Sequence, residues 1–255
     1  MIEKNVIVKF MEYYAPYRIE NNPVPPRKLT EIPLSDPELR LVAHEVDFKR
    51  AKNEQIGMEL ASKEILNNVL KWLNNGKGVY AEALFAVLGA MAGFELSQAI
   101  LETIGAMNDS WIFVNMELRA ESASIHEDFM FGDFITDEFI SIYLTAADEN
   151  TPPTTKLIKI AETCAAGIRK GEYWDTPYNE MLKITPKGIV EVFSHKFDSM
   201  FQTLTRFPHE RPMAYACAAQ QAIKQFSQVL PKEEALTILA EYGWRTAHIM
   251  EYRKE

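Results

Sequence analysis

Apolar residues recur at three- and four-residue steps through most of this chain, which is the signature of amphipathic helices. The clearest stripe is Met58, Ala61, Ile65, Val69 and Trp72, broadened by Leu66, Leu70 and Leu73. It predicts a helix over 54–74, closed by Asn74-Asn75-Gly76 in the manner of a glycine C-cap. The next run, 79–107, is apolar on most sides and is expected at the centre of the core. Gly89 and Gly93 interrupt it. Each weakens a helix by about 1 kcal/mol relative to alanine, so they read as close-packing points or as a break into two helices.

Further stripes predict helices over 136–148, 155–170, 187–207, 212–230 and 231–252. The stripe of 187–207 is Ile189, Phe193, Phe197, Met200 and Leu204, and that of 212–230 is Ala216, Ala219, Ile223, Phe226 and Leu230. Pro231 followed by Glu233 and Glu234 suits a helix start. Upstream, Ser35-Asp36-Pro37-Glu38 resembles a capping box with proline in the first turn, and Leu39, Val42 and Val46 follow at helical spacing. A short helix over 2–14 and an extended arm over 16–33, with five prolines, complete the N-terminal part.

One segment changes period. In Trp111–Arg119, Ile112, Val114, Met116 and Leu118 alternate with Phe113, Asn115, Glu117 and Arg119. Period two reads as a strand, and 128–131 alternates again after polar turn residues. The expectation is a mainly α, multi-helix globular bundle with one small β-hairpin at about 111–131. An isolated hairpin is marginal in water, so it should lean on the helices or on a second copy of the chain. Residues 1–255 read as a single helical domain, with a weak subdivision near 150–154.

Composition narrows the function classes. With 27 Lys+Arg against 36 Asp+Glu the net charge is −9, and no basic stripe interrupts it, which argues against nucleic acid as the main partner. The N-terminus lacks the long apolar core of a signal peptide. In 79–101, Glu82 and Glu95 leave too short an uncharged stretch for a membrane span. The chain reads as cytoplasmic, with no membrane partner. Cys164 and Cys217 are isolated and sit on or beside apolar faces, as small core residues do.

Several motifs could carry chemistry. Gly76-Lys77-Gly78-Val79-Tyr80-Ala81 fits the loose GxGxxA dinucleotide pattern, but a helix precedes it where that motif needs a strand. No histidine follows a glutamate by three, as helical di-iron sites require, and HExxH is absent; no cofactor or metal is expected. Glu191, His195 and Asp198 fall at i, i+4 and i+7 and could share one helix face, either as ligands or as a solvated polar face. His126, Glu127 and Asp128, with Asp133, Asp137 and Glu138, form an acidic group that could do acid–base work if buried. In the connection 206–212, Arg206, His209 and Arg211 could hold an anion, or the arginines could bond carbonyls at the preceding helix end. Glu241, Arg245 and His248 read as a polar surface face.

No catalytic residue can be named from these patterns. The ligand-site candidates are Glu191, His195, Arg206, His209 and Arg211. The reading that follows is a non-catalytic binding or interaction protein acting as a homo-oligomer, most simply a dimer. The alternative is a small-molecule-binding protein or enzyme with a pocket between helices.

Overall fold

The computed structural model describes residues 36–107, 133–148, 154–170, 172 and 174–247. Of these, 76% are helical, and no strand occurs among them. Ten helices are described: α1 (Pro37–Arg50), α2 (Ile56–Leu73), α3 (Ala81–Met107), α4 (Asp133–Ala147), α5 (Thr154–Arg169), α6 (Asn179–Leu182), α7 (Pro186–Phe193), α8 (Asp198–Leu204), α9 (Glu210–Phe226) and α10 (Lys232–Thr246). The predicted hairpin at 111–131, the helix over 2–14, the arm over 16–33, and His126, Glu127 and Asp128 lie outside the described residues.

The bundle is built around α3. Leu84, Phe85, Ala86, Val87, Leu88, Ala90 and Met91 have no solvent exposure, which follows from a helix apolar on all sides. Helices α10 and α9 run along it, and α7, α2 and α4 cover the rest. Each large side chain so buried contributes about 1.5–3 kcal/mol. One buried cluster runs from Val46 to Ala247 and draws on helices before and after 150–154.

The two glycines of α3 are close-packing points, and the helix runs through them unbroken. A Cβ on Gly89 would collide with the Leu239 carbonyl oxygen, and one on Gly93 with the Gly243 carbonyl oxygen. On α10, Gly243 in turn has the Phe139 ring against it. Phe139 packs on Trp244 at 4.6 Å between centroids, and the Thr246 hydroxyl donates to the Ala90 carbonyl at 2.6 Å. Small residues on both partners bring α3 and α10 into backbone contact.

Local signals set several helix ends. Asp36, not Ser35, caps α1: its side chain accepts from the Glu38 amide at 2.8 Å, with Pro37 in the first turn. Thr185 caps α7 through the Gly188 amide, followed by Pro186. Gly76 and Gly78, with φ of 82° and 118°, turn the chain between α2 and α3, so the GxGxxA stretch joins two helices.

Three expectations need correction. The helix over 187–207 is two helices. Lys196 bonds back to the Phe193 carbonyl, a three-residue step that tightens the chain between α7 and α8. Across this turn Phe193 and Phe197 both pack on Trp72, at 5.6 and 5.2 Å, with the Lys196 ammonium 5.0 Å over that ring. The apolar stripe of α1 is rotated from the expected one, because Ala43 and Val46 are buried while Val42 faces outward. Finally, Glu241 and Arg245 are buried; α10 is enclosed by α3, α5, α4 and α7, leaving no solvent face there. His248 lies outside the described residues.

Candidate functional site

The arginines of the 206–212 connection belong to two buried ion clusters. In the first, Arg206 Nε lies 2.7 Å from Asp47 Oδ1. Its Nη1 donates to the carbonyls of Thr203 and Thr205 at 3.2 and 3.0 Å. Arg50 grips Glu210 with both guanidinium nitrogens, at 2.6 and 3.0 Å, and donates to the Leu204 carbonyl at 2.7 Å. Glu210 also accepts from the backbone amide of Arg206 at 2.6 Å. A bidentate, buried pair of this kind is strongly directional. It ties α1 to the end of α8 and the start of α9. Arg206 thus serves the preceding helix end.

The second cluster lies between α3 and α9. Arg211 Nε sits 3.2 Å from Glu95 Oε2, and its Nη2 donates to Glu102 Oε1 at 2.7 Å. Glu95 is 1% exposed. Close by, the Tyr215 hydroxyl is buried and has no hydrogen-bond partner among the described residues, while its ring meets Phe197 and Phe201 edge-on. Burial pushes the Tyr215 phenol well above its usual range; Glu95 and Asp198 add to this and Arg211 opposes it. His209 stacks on Phe207 at 5.6 Å and 17°. Burial lowers its imidazole below the ordinary value, against the pull of Glu210 and with the help of Arg50.

A third cluster joins α5 to α10. The Cys164 thiol donates to Glu241 Oε2 at 3.5 Å, and Arg245 Nη1 donates to the Glu172 carbonyl at 2.9 Å. Burial raises the Cys164 thiol far above its usual range, with Glu241 adding to the effect. The thiolate, not the thiol, is the nucleophile, so this cysteine is chemically quiet.

Glu191 and His195 are not brought to these clusters. Glu191, on α7, pairs loosely with Lys187 at 3.7 Å. His195 lies in the turn before α8, 77% exposed, with Nδ1 3.2 Å from Asp198 Oδ2. Of the three residues that a continuous helix would have aligned, His195 and Asp198 are in contact, while Glu191 pairs with Lys187. Among the described residues no group of three or more His, Cys, Asp and Glu is arranged to hold a metal. None of their helices is long and apolar enough to cross a membrane.

The outer face of α1 was missed by the sequence reading. Leu41 is 71% exposed, Phe48 77% and Val42 42%. At 3.6 residues per turn, positions seven apart lie about 20° from one another around the axis. Leu41 and Phe48 therefore point together, opposite Ala43 and Val46. The missed signal was that i, i+7 pair; the short stripe Leu39, Val42, Val46 points to the core side, where Val46 is buried. Large exposed apolar side chains are unremarkable singly, whereas several on one helix face mark an interaction surface.

No protein-family model, curated protein sequence or solved structure matches this chain.

Proposed function

We propose that this chain is a non-catalytic interaction protein that works by association as a homo-oligomer, with the outer face of α1 as its contact surface. The observation that carries the reading is the pair Leu41 and Phe48, large apolar side chains held out to solvent on one face of a helix whose other face is anchored. Anchoring comes from Arg50 and Asp47, through Glu210 and Arg206. A rigidly held apolar stripe loses little entropy on docking. The arginines that could have held an anion are engaged inside the bundle, which favours association over ligand chemistry at the 206–212 connection. The net charge of −9 argues against nucleic acid as the main partner.

One observation favours a second reading, a small polar ligand between α3 and α9: the buried, unpartnered Tyr215 hydroxyl beside Arg211. A buried hydroxyl without a partner loses about 1–3 kcal/mol, and a ligand acceptor would recover it.

Native mass spectrometry of the purified protein separates the two, because it reports subunit count and retained mass together. The expected result is a concentration-dependent dimer without added mass. A strict monomer carrying a bound small molecule would replace this reading with the second.

A further inference from the structure

We infer that α1 is a strap closed by ion pairs: it lifts from the bundle transiently and as a unit, about the connection 51–55, while the helices after it stay folded. Apolar burial holds it weakly. Of its 14 residues only Ala43 and Val46 are buried, so lifting it returns little apolar surface to water. By contrast, α3 buries Leu84, Phe85, Leu88 and Met91 among others. Among the described residues α1 rests mainly on α2 and α8. Elements with so small a share of the core open below the free energy of global unfolding.

What closes the strap is polar and lies toward its C-terminal end. Arg50 enters a cradle built from residues outside α1. Its guanidinium donates to both carboxylate oxygens of Glu210 and to the carbonyls of Glu54 and Leu204. Gly57, at the start of α2, makes room for it, since a Cβ there would collide with the guanidinium and with the Leu204 carbonyl oxygen. One turn earlier on α1, Asp47 accepts from Arg206 Nε at 2.7 Å. Arg206 and Glu210 are both buried, and opening lets water reach them, so each charge exchanges its partner for hydration. For that reason an intact buried pair adds little net stability, whereas half of one left buried is strongly unfavourable. The pairs therefore fix where α1 sits without making it hard to lift. Ala51, Lys52, Glu54 and Gln55 are exposed, so the connection can turn with little packing to undo. Once lifted, a 14-residue helix is marginal in water by itself, and its amides open to exchange. None of these contacts involves the outer face of α1.

The test is hydrogen–deuterium exchange of the full chain under native conditions, read by mass spectrometry at one fixed protein concentration. It compares wild type, Arg50→Ala, Lys49→Ala and Gly93→Ala. In wild type the amides of α1 should share one protection level, on the order of 100-fold or more below that of α3 and α10. Arg50→Ala strands Glu210 while the strap is closed but not once it is open. It should speed exchange across the whole of α1 about 100-fold. The core should follow by the same factor, because the closed state is destabilised against open and unfolded chain alike. Alanine is the best helix former, so a faster α1 cannot reflect a weaker helix. Lys49→Ala, one residue away but exposed, should change α1 by less than about 5-fold. Gly93→Ala overpacks the α3–α10 contact, which survives opening, so it should speed α3 and α10 about 5-fold or more and leave α1 unchanged. That one-way pattern is the signature of the strap. Wild-type protection of α1 equal to that of α3 overturns it, as does Gly93→Ala speeding all three helices together, since α1 would then leave only when the whole chain unfolds. An Arg50→Ala effect confined to the last turn of α1, or no larger than that of Lys49→Ala, overturns closure by the Arg50 cradle. Should Arg50→Ala not fold, wild type and Gly93→Ala decide between the strap and global unfolding by themselves.

Discussion

Substituting Gly93 by alanine tests the central packing argument, because two opposing effects can be given magnitudes. In an isolated helix the change favours folding by about 1 kcal/mol. Here the new Cβ would meet the Gly243 carbonyl oxygen and lie 2.5 Å from Thr246 Oγ1. The first obstacle is backbone of α10 and cannot rotate aside; the second is the hydroxyl that donates to the Ala90 carbonyl. Overpacking against a well-packed partner destabilises by about 1–3 kcal/mol, and a displaced buried hydrogen bond by about 1 kcal/mol more. The steric effect wins, for a net loss of about 1–3 kcal/mol once the helix preference is set against it. In a chain of this size that lowers Tm by about 2–12 °C. The control is Gly167→Ala on α5, whose Cβ would find only ordinary contacts, the nearest being Arg245 Nη1 at 3.4 Å. It should be neutral or gain up to about 1 kcal/mol. Thermal and urea unfolding followed by circular dichroism read both. If Gly93→Ala proves as stable as wild type, α3 and α10 do not touch through their backbones and the core described above is wrong.

Three further outcomes follow from the buried clusters. Glu210→Gln should destabilise by about 3 kcal/mol, since removing one partner of a buried pair strands the other, here Arg50; Glu45→Gln at the exposed Lys49 bridge should leave the urea midpoint unmoved, and equal effects would refute the distinction. Both thiols should react slowly with a thiol reagent at neutral pH until the protein unfolds, because burial raises Cys164 far above its usual range and pushes Cys217 up to about 11; prompt modification of both in native protein contradicts their placement. Burial raises the Glu241 carboxyl above its ordinary value, against the attraction of Arg245 and the Cys164 hydrogen bond. The folded state then binds more protons than the unfolded one between the two values, so this group lowers stability as pH rises from about 4.5. Glu241→Gln should therefore stabilise at pH 7, with the gain shrinking toward pH 4.5; urea midpoints at both pH values check the sign.

Much of the helical layout was legible because helix periodicity is local. The stripes of α2, α5 and α9 and the all-round apolar character of α3 can be read within one segment, and the segment bounds agree to a few residues. The inferences that failed were ones that needed a neighbour. Glu241 and Arg245 look like a solvent face on a helical wheel, yet α5 covers them. The phenylalanines of 187–207 look like one continuous stripe, yet the chain turns between Phe193 and Asp198. Arg206 and Arg211 stand out in the sequence as two arginines in one connection between helices. Their partners, Asp47, Glu95 and Glu102, lie over a hundred residues away, and nothing in the local pattern names them. Glu95 in particular read only as an interruption in an apolar run.

The chain's own order of residues determined where helices form and which of them sits innermost, since 3.6-residue periodicity and capping are settled over a turn or two. Tertiary structure alone decided which way α1 faces, which acid each buried arginine meets, and whether a polar helix face sees water. Those depend on surfaces that come together only when distant segments pack, and burial changes the energy of a charge far more than its neighbours in sequence do.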